Sequence, residues 1–132
     1  MEHPRKVALV IVDHGSRNEA SNAALDDVAR EVAAMSGDRY VAVLAAHMDL
    51  ATPTVADAFD AAVAAGAAFV VVALYFLAPG RHSETDIPRL AAEAAARHPG
   101  VDFAVTASLG PDPTLAALTL ERAAEALRPP RS

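Results

Sequence analysis

At 132 residues the chain is long enough for one domain with a sizeable core, and it carries no cysteine, which excludes disulfides, thiolate metal sites and cysteine-held iron-sulfur clusters. The 17 acidic residues against 11 basic ones leave a net charge of -6, which argues against nucleic acid or an anionic membrane as partner. No run is long enough to span a bilayer or laid out as a secretory signal, so the expectation is a cytoplasmic protein with residues 1-132 as a single domain.

Met1 to Arg5 form a charged lead-in whose His3 reads as a solvated tail residue. Val7-Ala8-Leu9-Val10-Ile11-Val12 then make an apolar run suited to a strand buried on both faces, which stops at Asp13-His14-Gly15-Ser16-Arg17. From Asn18 to about Met35, Leu25, Val28, Ala29, Val32 and Met35 recur at helical spacing with charged residues between them, and Gly37 fits the stop. Tyr40 to Ala46 read as a second buried strand ending at His47-Met48-Asp49.

Thr52-Pro53 offer a capping hydroxyl and a proline for the first helical position, ahead of an apolar stripe of Val55, Ala58, Phe59, Ala62 and Val63. Gly66 ends that helix, and Ala68 to Leu77, the most hydrophobic run, predict a central strand broken by Pro79-Gly80-Arg81-His82-Ser83. A helix is expected over Glu84 to His98 with Pro88 in its first turn, a fourth strand over Val101 to Ala107, and a last helix from Asp112-Pro113 through Leu115, Leu118, Ala123 and Leu127. The Pro129-Pro130-Arg131-Ser132 end reads as a tail.

Four strands alternating with four helices point to an α/β fold, a four-stranded parallel sheet with helices on both faces. With the strand order 2-1-3-4, the first and third strands are neighbours whose following helices leave toward opposite faces, opening a crevice at their C-terminal ends. His14 and His82 then lie on its two lips, and Asp49 is a third group within reach from the second strand. Two imidazoles and a carboxylate suit a borderline divalent cation held with positions left open. Singly, each histidine is an ordinary turn residue, and His47 a partly buried strand end. His98, beside Pro99 at a helix C-terminus, reads as a favourable charge against the helix dipole.

Arg17 and Arg81 each stand beside one crevice histidine near a helix start, where free N-H groups could help hold a carboxylate-bearing ligand. The competing expectation pairs them with Glu19, Glu84 or Asp86. Further glycines for a dinucleotide loop do not follow Gly15, and the Gly-x-Ser-x-Gly elbow is absent. A receiver domain would want an acidic residue where the third strand ends in Phe76-Leu77. In a phosphohistidine phosphatase an arginine would precede His14, where Asp13 would instead repel phosphate.

Four motifs in order, Asp13-His14-Gly15-Ser16-Arg17, Ala46-His47-Met48-Asp49-Leu50-Ala51 with Pro53, Phe76-Leu77 with Pro79-Gly80-Arg81-His82 and Asp86-Ile87-Pro88, and Leu109-Gly110-Pro111, together resemble the sirohydrochlorin chelatases. The chain is most similar to the short form also seen in plant-type sirohydrochlorin ferrochelatases. The resemblance implies a metal-inserting lyase that places Fe2+, Co2+ or Ni2+ in sirohydrochlorin, toward sirohaem or cobalamin, with no permanently bound cofactor. It assigns catalysis and metal handling to His14 and His82. The third-ligand place falls within the second motif, to Asp49, where the family commonly has Glu, with His47 beside it as the alternative. Ser16, Arg17, Gly80 and Arg81, inside the two histidine motifs, are the expected substrate-binding residues. The cysteine-rich tail of the plant proteins is missing, so no cluster is expected.

A tetrapyrrole loses two pyrrole protons as the metal enters, and imidazole can both accept a proton and hold an ion loosely. Because longer relatives have two lobes facing each other, the single lobe implies a homodimer, with alanine-rich helix faces and Met48 near the seam. The rival from another class is a non-catalytic metal or tetrapyrrole carrier of the same fold.

Overall fold

A computed structural model describes residues 5-129; His3 and the Pro130-Arg131-Ser132 end lie outside them. The elements run β1 (Val7–Asp13), α1 (Glu19–Ser36), β2 (Ala42–His47), α2 (Val55–Ala64), β3 (Phe69–Leu74), a π-helical turn (His82–Asp86) leading into α3 (Ile87–Ala96), β4 (Asp102–Val105) and α4 (Pro113–Ala126). All strand pairs are parallel and the order is β2-β1-β3-β4, as the alternation of strand and helix predicts.

Period-two alternation divides the core between the faces of the sheet. Ala8, Val10, Val12, Val70 and Val72 pack with Phe59 and Ala62 of α2 and with Ile87, Ala91 and Ala94 of α3. Leu9 and Ile11 point the other way, onto Leu25 and Ala29 of α1 and Ala45 of β2. Phe59, Ile87, Val10, Val12, Val70 and Val72 are among the largest fully buried side chains, each stabilising the fold by roughly 1.5–3 kcal/mol.

Four expectations are corrected. α2 begins two residues later than the Thr52-Pro53 reading. The cap is Thr54, whose Oγ1 accepts from the Asp57 N-H (3.1 Å) while Asp57 Oδ2 accepts from the Thr54 N-H (3.0 Å). A reciprocal cap needs an acidic or amide side chain three positions on. Thr54 has Asp57 there, whereas Thr52 has Val55. Pro53 instead gives its carbonyl to the His47 N-H at 2.9 Å.

β3 stops at Leu74 rather than Leu77. The Leu74 N-H goes to Thr106 Oγ1 (3.0 Å) and the Phe76 carbonyl accepts from the Leu109 N-H (2.9 Å), so the chain leaves the sheet and Leu77 is 72% exposed. Gly110 is what lets the two loops meet, since a Cβ there would lie 2.2 Å from the Leu77 carbonyl oxygen.

His98 lies beyond the end of α3 and ties two helices together rather than simply facing a helix dipole. Its Nε2 donates to Asp60 Oδ1 on α2 (2.8 Å), and Arg97 reaches Asp60 Oδ2 at 3.3 Å. The His98 hydrogen bond, with the nearby Arg97 charge, holds the Asp60 carboxyl below the usual carboxylate range.

α4 starts where Asp112-Pro113 predicts, with Asp112 Oδ1 accepting from the Thr114 N-H at 2.9 Å. It does not cover the sheet: no residue of α4 is buried, and Leu118, Leu120 and Leu127 are exposed. Apolar spacing at 3.6 residues specifies a helix and an apolar face but not which surface covers that face.

Candidate metal and tetrapyrrole site

β1 and β3 are hydrogen-bonded neighbours in register from Val7–Phe69 to Val12–Leu74, and their continuations carry the two crevice histidines. The imidazoles of His14 and His82 meet edge to face, with centroids 4.9 Å apart and planes inclined by 74°. Both residues are exposed. Their ring spacing is within that of two imidazoles sharing one ion at about 2.0–2.1 Å from each nitrogen.

Each ring has its Nδ1 engaged by an oxygen. His14 Nδ1 faces the Gly15 carbonyl at 3.2 Å, and His82 Nδ1 faces Asp86 Oδ2 at 2.9 Å. A carbonyl or an ionised carboxylate only accepts, so the neutral rings carry their proton on Nδ1. Nε2 of each is left with a lone pair for an ion or a proton.

The His82 loop is built by a residue the motif reading passes over. Ser83 is 2% exposed; its hydroxyl accepts from the Gly80 N-H (2.9 Å) and donates to the Gly80 carbonyl (3.1 Å). The Glu84 N-H also bonds that carbonyl at 2.8 Å. Gly80 is thus fastened through both backbone groups. His82–Asp86 wind as a π turn, a geometry frequent at functional sites. A small hydroxyl directly after a Pro-Gly-Arg-His run was the available signal, because such residues close turns onto their own backbone.

The His14 loop is held from both sides. Ser16 Oγ accepts from the Asn18 N-H (3.0 Å), while the Ser16 N-H and carbonyl bond Asn22 at 3.0 and 2.7 Å. Asn18 Oδ1 accepts from the N-H groups of Ala20 and Ser21 at 2.9 and 3.4 Å. This corrects the expectation that free N-H groups at the start of α1 await an anion, since the cap already occupies two of them. Arg17 and Arg81 are exposed and have no ion-pair partner among the described residues; Asp86, one expected partner, is taken by His82.

Asp49 is exposed on the loop after β2, with Oδ1 accepting from the Leu50 N-H at 2.8 Å. Among the described residues no group of three His, Cys, Asp or Glu side chains is assembled to hold a metal. The structure therefore brings His14 and His82 together without drawing Asp49 into a finished three-ligand set. His47 is 1% exposed and paired through Nδ1 with Asp13 Oδ1 at 2.6 Å. Met48, expected near a dimer seam, is half-buried and packs against the main core.

The CbiX family model matches residues 8–126. The chain is 47% identical over 103 residues to the chloroplastic sirohydrochlorin ferrochelatase of Arabidopsis thaliana, covering 78% of this chain and 45% of that protein. It is 39% identical over 83 residues to the sirohydrochlorin cobaltochelatase of Methanococcus maripaludis, covering 63% and 56%. The chain thus spans about half the length of either relative. Among solved structures, SirB from Bacillus subtilis with Fe3+ superposes with a TM-score of 0.80 at 25% identity, over 94% of this chain and 48% of SirB.

Proposed function

The chain belongs to the CbiX family, and from that premise we propose that it is a metal-inserting enzyme, placing a divalent ion, Fe2+ or Co2+, into sirohydrochlorin. The observation that carries the reading is the convergence of His14 and His82, whose Nε2 atoms are both left free by oxygen partners at Nδ1. The names of the relatives, one a ferrochelatase and one a cobaltochelatase, support both metals. Imidazole and carboxylate groups follow the general affinity order of these ions and do not select between them, or against Ni2+.

One imidazole presents the ion to a face of the macrocycle. As the ion enters, two pyrrole N-H bonds break and two protons leave; the other imidazole accepts one at its Nε2 and solvent water at the exposed site takes the second. Arg17 and Arg81, free of ion-pair partners among the described residues, anchor the acetate and propionate arms. Ser16 and Gly80 shape the loops that carry them. Asp49, whose Oδ2 has no hydrogen bond among the described residues, stands outside the histidine pair and would join the ion's coordination by a shift of its exposed loop.

The working unit is a homodimer. Half of SirB matches nearly all of this chain, and α4 offers an uncovered apolar face through which a second lobe could dock. No helix among the described residues is long and apolar enough to cross a membrane, which fits action on a water-soluble, many-carboxylate substrate in the cytoplasm.

Mixing the protein with sirohydrochlorin and Fe(II), Co(II) or Ni(II) and following the tetrapyrrole absorption bands tests the proposal. Multiple turnovers with at least one ion are expected. Bands that shift only in proportion to protein would instead identify a carrier.

A further inference from the structure

His47 and Asp13 are used by nothing in the chemistry above, yet they form the best-buried polar pair near the site. His47 is 1% exposed and its Nδ1 lies 2.6 Å from Asp13 Oδ1. The two residues are also register partners at the last rung of the β1–β2 ladder.

Beyond that rung the pairing continues into the two functional loops. The Met48 N-H bonds the Asp13 carbonyl at 2.8 Å, and the Asp49 N-H bonds the His14 carbonyl at 3.0 Å. The His47 N-H meanwhile holds Pro53, at the far end of the β2 loop, at 2.9 Å. Gly15, at φ +91°, lies so close that a Cβ would stand 1.8 Å from the Asp49 carbonyl oxygen and 3.1 Å from the His47 Cβ. A crevice histidine and the candidate third carboxylate are therefore neighbours on one backbone ladder, and the side chains of the rung beneath them are clasped.

We propose that Asp13 and His47 are positioning residues whose buried hydrogen bond sets the spacing between His14 and Asp49, and so the geometry with which the site takes up a divalent ion. The inference rests on the proposed chelatase reading. Neither residue touches the ion or the macrocycle. Without the bond the two strand ends can part at their last rung, and displacements of about 1 Å at a reacting centre can cost on the order of 100-fold in rate. Partners that orient metal ligands from behind typically contribute about 10- to 100-fold.

His47→Leu and His47→Asn separate this from simple packing. Leucine removes the donor, whereas an asparagine Nδ2 can take the place of Nδ1 and bond Asp13. In the full chain, His47→Leu is expected to lower kcat and Co(II) affinity by about ten-fold or more, with KM for sirohydrochlorin within about two-fold of wild type. His47→Asn is expected to restore both to within about three-fold. Should the leucine variant not fold, Asp13→Ala and Asp13→Asn supply the same contrast from the other side.

A folded His47→Leu protein with wild-type kcat and Co(II) affinity, or an asparagine variant no better than leucine, overturns the proposal. Wild-type protein that binds Co(II) but metallates nothing defeats the chelatase reading alone, and the Co(II) affinities then decide the positioning role. Wild-type protein that does not bind Co(II) overturns both.

Discussion

His14 and His82 come within 4.9 Å, ring centroid to ring centroid, although one follows β1 and the other follows β3. Parallel pairing of those strands delivers both turns to the same end of the sheet. Both side chains are exposed and outside the core, so replacing either with alanine should alter stability by no more than about 0.5 kcal/mol. We expect His14→Ala and His82→Ala to abolish metallation with unchanged thermal midpoints, followed by tetrapyrrole absorbance and by circular dichroism. Full turnover in both variants would end the assignment.

Arg17 and Arg81 should separate binding from chemistry. Their guanidinium groups lack protein partners among the described residues and are suited to bidentate carboxylate contact. Arg17→Gln and Arg81→Gln are expected to raise KM for sirohydrochlorin several-fold each while leaving kcat within about two-fold. Because exposed charge pairs are screened by salt, wild-type KM should climb with ionic strength, and less steeply in either variant. Equal KM values in steady-state assays would remove both residues from the substrate site.

Ser83 links loop shape to stability. Its buried hydroxyl exchanges hydrogen bonds with both backbone groups of Gly80. Ser83→Ala should cost about 1–2 kcal/mol in urea denaturation, in the range of lost caps and buried hydrogen bonds. It should also lower turnover, because the turn that fixes His82 loosens. A variant as stable as wild type would show that the turn is held by Pro79 and the Glu84 N-H bond without it.

The strand order and the meeting of His14 with His82 were legible because both follow from run length and topology. Apolar runs ending in polar turns fix where strands stop, and right-handed crossovers fix which ends converge. The roles of Ser83, Asn22 and the Asp13–His47 pair were hidden, since each depends on a hydrogen bond across a turn or between strands, and pattern carries no distance. Thr54 was hidden by the nearer Thr52-Pro53, a cap of the right chemistry lacking its acidic partner. The bare face of α4 was unreadable for another reason: an amphipathic period looks the same whether the surface that covers it lies in the chain or outside it.

Asp60 makes stability depend on acid. Its folded carboxyl titrates below the ordinary value because His98, and then Arg97, favour the charged form. The folded state therefore binds fewer protons at Asp60 than the unfolded state does. The resulting stabilisation is fully present above the unfolded value of about 3.9 and is lost as pH falls through the lower folded value. Thermal midpoints measured between about pH 2 and 5 should fall with acid, and Asp60→Asn should flatten part of that slope. Identical slopes would show that the tie contributes nothing in solution, as many exposed pairs do.

The face of α4 should set the size of the assembly and, through it, the activity. Leu120 and Leu127 are 72% and 85% exposed, and Leu115 and Leu118 share an apolar cavity of about 450 Å3 with Leu77 and Pro111. Leu77 belongs to the loop that leads through Pro79-Gly80-Arg81 to His82, so a lobe docked on α4 would also brace the crevice. Light scattering is expected to give twice the 13.6 kDa of one chain. Introducing lysine at Leu118 and Leu120 together should halve that mass and reduce kcat without lowering the thermal midpoint of the isolated lobe, because neither side chain is buried within it. A wild-type protein that runs as a monomer at assay concentration and still turns over would remove the need for a second lobe.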